Sequence, residues 1–323
     1  AGAVVSVGAF QIAAKHDDLL PSPTSTAAPP AQQHVRWLSF YDYNETEQHK
    51  ICNLGMHQSL DRLLAGFAKY PSLPGMLDVA DVGGGQGLYW IGSPHPYNTH
   101  LNPQWRSLLG GLIDSALPHL RSGAIRGIFM GDEPCCGGLP PAELEEAASF
   151  VKAKIEGTGA FIAVNECERS FSGLWLNQSS GKWQPFPGLI KKLPQAIDFV
   201  SADLYTYSAP GEAAQAQKFY TKLIYPTLSA HQKTWVVPGL FADSTQPVNM
   251  SDYLLVEKLQ GYWQWVQKDT RVVGLIPWHW DSRYPRPVAE KLGAREFPVL
   301  RQKLREIGAA IRGGTGGELK GRA

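Results

Sequence analysis

The run Gly127-Ile128-Phe129-Met130-Gly131-Asp132-Glu133-Pro134 joins β-forming apolar residues directly to two adjacent carboxylates and a proline. The design recurs: 161–164 stops at Asn165 and Glu166, 197–205 ends on Asp203 and Tyr205, and 272–277 leads into Trp278, His279 and Trp280. A strand covered on both faces reads as a short unbroken apolar run, and segments of helical spacing separate these runs. The pattern predicts parallel strands roofed by helices, each strand delivering polar residues at one end.

Strands are expected at 4–10, 35–42, 76–82, 125–130, 161–164, 197–205, 234–240 and 272–280. Helices are expected over 57–70, where Leu60, Leu63, Leu64 and Phe67 share a face, over 103–120, from Pro141 onward, over 212–228, from Ser251 and over 297–311. Strands and helices in this alternation point to an α/β fold, a (β/α)8 TIM barrel with long βα loops, rather than to an open doubly wound sheet. It would form a single catalytic domain over 1–312. Residues 14–34 carry Pro21, Pro23, Pro29 and Pro30 and replace the first helix with an irregular connection, while 313–323 read as a disordered tail. The glycines of 83–87 match neither the dinucleotide fingerprint nor the P-loop and are read as a turn leading to Tyr89 and Trp90. The polar segment 169–187 is too long for a plain connection, which marks functional or mobile loops.

The balance of charge narrows the partners. A net charge of +1 over 323 residues gives no electrostatic reason to expect nucleic acid or an anionic membrane, and no apolar run is long enough to span a bilayer. Aromatic residues make up 11% of the chain, with ten Trp among them, and many of these aromatics fall in loops after expected strands, which suits a binding cleft. Three glycosylation sequons begin at Asn44, Asn177 and Asn249, and Cys52, Cys135, Cys136 and Cys167 are even in number. Together they suggest a secreted or extracytoplasmic, disulfide-bearing glycoprotein that acts as a monomer. Neighbouring Cys135 and Cys136 seldom bond to each other, so each is expected to pair with Cys52 or Cys167.

In a barrel, polar residues at strand C-terminal ends gather on one face, where catalysis occurs. That face would collect Asp42, Asp132, Glu133, Asn165, Glu166, Asp203, Tyr205, Tyr207, Trp278, His279 and Trp280, with Trp90, Trp175 and Trp183 in nearby loops. Carboxylates among Trp and Tyr are what glycosidic bond cleavage requires. One acid protonates the leaving oxygen, a second carboxylate attacks or activates water, and aromatic faces pack on sugar rings. Such chemistry needs a carbohydrate substrate and no cofactor. Whichever carboxyl serves as the acid needs its pKa raised, as burial and a neighbouring carboxylate would do.

Gly131-Asp132-Glu133-Pro134 resembles the strand-four motif of the clan A glycoside hydrolase barrels, usually Asn-Glu-Pro with Glu as general acid/base. It looks closer still to a group of related barrels that carry Asp-Glu-Pro, followed by Val-Asn, here Val164-Asn165, and by Ser-x-Asp-x-Tyr, here Ser201-Ala202-Asp203-Leu204-Tyr205. A late Gly-Leu-x-x-aromatic strand matches 274–280, and the resemblance runs in order of elements over about 36–310. It implies the barrel and glycosidase chemistry, with Glu133 as the general acid/base. Clan A enzymes place a nucleophilic Glu at the end of strand seven, and Val236-Val237-Pro238-Gly239-Leu240-Phe241 has none; Asp243 follows only a few residues later. The second carboxylate is therefore expected to be Asp203, with Glu166 next. Adjacent Asp132 and Glu133 also resemble the hexosaminidase pair, in which Asp orients a 2-acetamido group that itself attacks. Two further readings stay open. One is a non-catalytic carbohydrate-binding barrel; the other is a metal-dependent hydrolase using His95, His100, His279, Asp132 and Asp203, although no His-x-His or His-Glu-x-x-His spacing supports it.

Overall fold

A computed structural model describes residues 34–41, 45–80, 87–91, 98–177, 182–205, 211–243, 250–282 and 291–315. The strand expected at 4–10, the Pro-rich segment up to residue 33, and Asp42, Asn44, His95, Tyr207 and Asn249 lie outside the described residues. So do residues 83–86 and the side chains of Trp90, Trp175, Trp183 and Asp243.

Eight parallel strands form one sheet: β1 Trp37–Leu38, β2 Gly55–His57, β3 Gly75–Asp78, β4 Ile125–Asp132, β5 Phe161–Cys167, β6 Phe199–Asp203, β7 Lys233–Val236 and β8 Val272–Leu275. Their order is β1-β8-β7-β6-β5-β4-β3-β2, a circular sequence that lacks only the β1–β2 pair. Asn53 bridges that gap. Its N–H donates to the Leu38 carbonyl at 3.1 Å, its Oδ1 accepts from the Leu38 N–H at 2.8 Å, and its Nδ2 donates to the Arg36 carbonyl at 2.6 Å. The fold is thus the expected α/β barrel, with its numbering shifted. The run expected as strand two supplies β1, and β2 was not legible as a strand, since His57 read as the start of a helix. Three residues are too few to display a period.

The helices are α1 Glu45–Gln48, α2 Leu60–Lys69, α3 Trp105–Ser122, α4 Pro141–Lys154, α5 Arg169–Ser172, α6 Glu212–Phe219, α7 Asp252–Val266 and α8 Pro298–Thr315. Ser59 and Ser251 cap α2 and α7 by accepting from the N–H groups of Arg62 and Leu254. The 169–187 segment folds into α5 and an antiparallel hairpin, Leu174–Asn177 against Lys182–Pro185. The last helix continues through Gly313 to Thr315, where the sequence predicts the tail to begin.

Strand alternation sorts the side chains into two cores. Leu54, Met56, Met76, Phe129, Phe161, Ala163, Trp235, Val273 and Ile276 fill the barrel interior, with Trp37, Tyr41 and Phe199 against them. Aromatic rings plug it, Phe161 lying 4.9 Å from Phe199 and 5.4 Å from Trp235 between centroids. Gly127 is required there, because a Cβ would stand 2.0 Å from the Phe161 ring. The intervening residues, such as Ile128, Met130, Ile162, Val164, Val200 and Ala202, face the larger core beneath the helices. The site rests on the aromatic plug, at the strands' C-terminal ends.

Candidate active site

The end of β4 is bent out of register. Its pairing with β5 shifts between Phe129 and Asp132, Gly131 has φ 120°, and Glu133 has φ 54°. Glu133 is the one non-glycine with positive φ among the described residues, a conformation that costs about 1–3 kcal/mol and persists where the surroundings over-determine it. They do so here. The Glu133 N–H donates to the Asn165 carbonyl at 2.9 Å, its carbonyl accepts from Gly137 at 2.9 Å, and Leu139 N–H reaches the Pro134 carbonyl at 3.1 Å. The Tyr89 hydroxyl donates to the Met130 carbonyl just before the bend. Asp132 is exposed and Glu133 half-buried.

On β5, Phe161, Ala163 and Asn165 alternate inward, so Asn165 stands directly above the aromatic plug. Fully buried, its Nδ2 donates to Asp132 Oδ1 at 2.8 Å and to Asp203 Oδ1 at 3.0 Å, while Ser201 Oγ donates to its Oδ1 at 2.7 Å. One amide thereby holds two carboxylates from neighbouring strands at a fixed separation. Tyr205 and Tyr41 complete this floor: their hydroxyls are buried, that of Tyr205 against Asp203 and that of Tyr41 beside Ser201, and the charges of Asp203 and Asp132 act on both phenols.

The electrostatics follow from two largely buried carboxyls, Glu133 and Asp203, beside the exposed carboxyl of Asp132. Burial, with Asp132 adding to it, raises the Glu133 pKa to about 7, and Arg169 pulls it down. Asp203 is pushed well above the usual carboxylate range, by burial first and then by Asp132 and Glu133, against the hydrogen bonds from Asn165 and Tyr205. The cluster therefore retains a proton at neutral pH beside an anion.

Glu166 faces the other way. It shares the outward side of β5 with Ile162 and Val164, is fully buried, and accepts from Cys135 N–H at 3.0 Å, Cys136 N–H at 3.0 Å and Ser170 Oγ at 2.8 Å. Burial raises its pKa to about 7 against those hydrogen bonds. Its place is behind the wall of the site, which corrects the expectation that it supplies a catalytic carboxylate. Cys136 is bonded to Cys167 across the same turn, as one of the expected pairings, whereas Cys52 and Cys135 are buried free thiols.

The aromatic wall comes from β6 to β8. Tyr205 stacks on Trp278 with centroids 5.5 Å apart and planes 25° apart, and Phe241 packs edge-on against both. Gly239 pairs with Trp278 beyond the regular strands, and a Cβ on it would stand 2.7 Å from the Tyr205 ring. His279 follows a cis peptide bond, is fully buried, stacks on Phe241 and directs Nδ1 to the Asp281 carbonyl. Trp280 is 1% exposed and packs edge-on against Phe40 in the outer core, so it is not a cleft residue.

The residues named for the alternative metal-dependent reading are not brought together among the described residues, and His95 lies outside them. His100 bonds Glu143 at 2.9 Å and Asn98 at 3.0 Å, on the hairpin before α3. Among the described residues, the one group of three ligand-bearing side chains within 4.8 Å is Glu133, Cys136 and Cys167, and its sulfurs are joined to each other. An open pocket of about 650 Å³ lined by Lys152, Glu156 and Gln195 lies at the opposite end of the barrel, where Gly157 to Ala160 lead into β5. It holds none of the expected site residues.

Sequence reasoning missed Tyr41, Ser201 and Arg169. The first two were within reach of alternation: Ser201 lies between Phe199 and Asp203 on the inward face of β6, and Tyr41 is inward where neighbouring Asp42 was chosen. Arg169 had no signal, because its approach to Glu133 is made by α5.

No protein-family model matches the sequence, and neither does any curated protein. Solved structures resemble it in fold. A β-glucuronidase from Bifidobacterium dentium aligns with a TM-score of 0.52 at 11% identity, over 81% of this chain and 41% of that one. A GH5_18 protein from Bifidobacterium longum, bound to Manβ1-4GlcNAc, aligns with a TM-score of 0.50 at 10% identity, over 80% of this chain and 69% of that one. The chain thus spans less than half of the glucuronidase. The likeness establishes the barrel fold, and the barrels it resembles include glycoside hydrolases.

Proposed function

We propose that the protein is a glycoside hydrolase of the Asp-Glu-Pro-bearing, clan A-like kind, cleaving O-glycosidic bonds of an oligo- or polysaccharide outside the cytoplasm. The observation that carries this reading is Glu133, held protonated to about pH 7 beside Asp132 and facing a site that also contains Asp203. Glu133 delivers its proton to the leaving-group oxygen as the glycosidic bond breaks. Asp203, fixed by Asn165, is the second carboxylate; in its ionised form, which the hydrogen bonds from Asn165 and Tyr205 favour against burial, it stabilises the oxocarbenium-like transition state and either attacks the anomeric carbon or takes a proton from the attacking water. Asp132 holds Asn165 and keeps the Glu133 proton in place. The stacked pair Tyr205 and Trp278 offers an apolar face to a sugar ring, and the buried hydroxyls of Tyr41 and Tyr205 offer hydrogen bonds to its polar edge.

A second mechanism is favoured by one observation, the absence of a carboxylate from residues 236–241 at the end of β7. In it a 2-acetamido group of the substrate attacks its own anomeric carbon, with Asp132 or Asp203 accepting the amide N–H. Wild type and Glu133→Gln, assayed for reducing-end release on a panel of glycans with and without 2-acetamido groups, test both. Turnover that is lost in Glu133→Gln supports the assignment, and confinement of turnover to 2-acetamido sugars selects the second mechanism. Binding of glycans with no turnover by wild type overturns the enzymatic reading in favour of a carbohydrate-binding barrel.

A further inference from the structure

Glu133 does not reach its place unaided; the turn that follows it and the helix opposite it are fastened to one buried carboxylate. Glu166 Oε1 accepts from Cys135 N–H at 3.0 Å, and Oε2 accepts from Cys136 N–H at 3.0 Å and from Ser170 Oγ at 2.8 Å. The Cys135 thiol lies against the same carboxylate. Cys135 and Cys136 belong to the turn closed by the Gly137 N–H on the Glu133 carbonyl at 2.9 Å, while Ser170 belongs to α5, next to Arg169. Ser170 and Glu166 are both fully buried, so water does not compete for these bonds. The groups acting on Glu133 are Asp132 from its own strand, Arg169 from α5 and Asp203 from β6. Two of these sources of charge are anionic and one is cationic.

We propose that Glu166 is a positioning residue: with a single carboxylate it ties the turn bearing Glu133 to the helix bearing Arg169, and so fixes how far the guanidinium stands from the acid. The disulfide Cys136–Cys167 fastens the same turn to the end of β5, two residues before Arg169 opens α5, and Cys167 Sγ lies 4.0 Å from Ser170 Oγ, so the Glu166–Ser170 link acts beside the disulfide and sets the orientation of α5 on the turn. A glutamine at 166 presents an NH2 to at least one of three donors, which drives donor against donor and releases one side of the clasp. The inference rests on Glu133 being the acid, yet its test does not require turnover.

Protein labelled with 13C at glutamate side chains is titrated by NMR, Glu133 being assigned from the signal lost in Glu133→Gln. Arg169→Ala removes the cation and raises the Glu133 midpoint, on the order of half a pH unit. Glu166→Gln and, separately, Ser170→Ala are expected to move it in the same upward direction, and neither is expected to move it further once Arg169 is Ala. A Glu133 midpoint that stays put in Glu166→Gln or, if that variant does not fold, in Ser170→Ala overturns the proposal. So does a shift that persists undiminished in the Arg169→Ala background. A purely structural Glu166 would lower stability and leave the titration in place. If the titrations behave as expected while no glycan is turned over, the positioning role stands and the hydrolase reading fails.

Discussion

The ends of β4 and β7 lie on the same face of the barrel and are built in opposite ways. β4 ends in charge, with Asp132 and Glu133 on a bent backbone that a glycine at φ 120° and a positive φ at Glu133 make possible. β7 ends in shape: Val237, Pro238 and Gly239 are buried and carry no ionisable group, and the missing side chain at Gly239 is what lets Tyr205 lie flat on Trp278. The lysine nearest to that end is committed as well, Lys258 Nζ donating to the Gly239 carbonyl at 3.0 Å while paired at 2.9 Å with buried Glu212. The difference teaches that the two sides of the site are built from different materials, charge on one and apolar shape on the other, and on the proposed function this would divide proton transfer from ring recognition, with the second carboxylate supplied by β6.

The largest expected effect breaks the charged side. Glu133→Gln should lower kcat by about 10³-fold with little change in KM, since general-acid catalysis contributes roughly 10²–10⁴-fold; steady-state kinetics on the best glycan substrate measure it. A comparable fall in KM-limited binding with kcat intact would transfer proton donation to another group.

Gly239→Ala breaks the other side. A Cβ 2.7 Å from the Tyr205 ring and 3.0 Å from Phe241 forces the stack apart, at a cost of about 1–3 kcal/mol. The rise should fall on KM, about tenfold, with kcat changed less, and it should be accompanied by a lower urea midpoint. Equal losses in both kinetic constants would show that β7 takes part in the chemistry after all.

Stability gives a third measurement, of similar size. Glu133 and Glu166 both have folded-state values of about 7 against an ordinary 4.5, so between those pH values the folded protein binds more protons than the unfolded chain. Their stabilising contribution is complete below about pH 4.5 and is lost as pH rises through 7. Glu133→Gln should therefore stabilise the protein at pH 8 by about 1–3 kcal/mol relative to wild type and do so much less at pH 5, as read from denaturant unfolding at the two pH values.

Asp132→Asn sharpens the comparison with the smallest shift. It removes the neighbouring charge that raises Glu133, so the alkaline limb of kcat/KM, where activity falls as Glu133 loses its proton near pH 7, should move to lower pH. A shift of under about one pH unit is expected, because burial is the larger cause. A limb that does not move would mean that Asp132 acts on Asn165 alone.

Much of the site could be read from alternation along single strands. Gly127-Phe129 inward, Phe161-Ala163-Asn165 inward and Phe199-Ser201-Asp203 inward each follow a period of two, and the last two suffice to bring Asn165, Ser201 and Asp203 above one aromatic plug. The same parity sends Glu166 outward with Ile162 and Val164. Treating every polar residue at a strand end as a site residue overlooked that, as it did for Trp280. β2 escaped because three residues show no period, and its neighbour's partner is the Asn53 amide rather than a strand.

The sequence by itself determined the fold class, the strand ends where chemistry could gather, and the adjacency of Asp132 and Glu133, because these depend on local periodicity and on which residues break it. The tertiary structure decided what each group faces. Arg169 beside Glu133, the disulfide between Cys136 and Cys167, the Glu166 clasp and the Tyr205 stack over Gly239 all join residues far apart in the chain. Burial and charge at a site are set by such contacts, and with them the proton that Glu133 retains near pH 7.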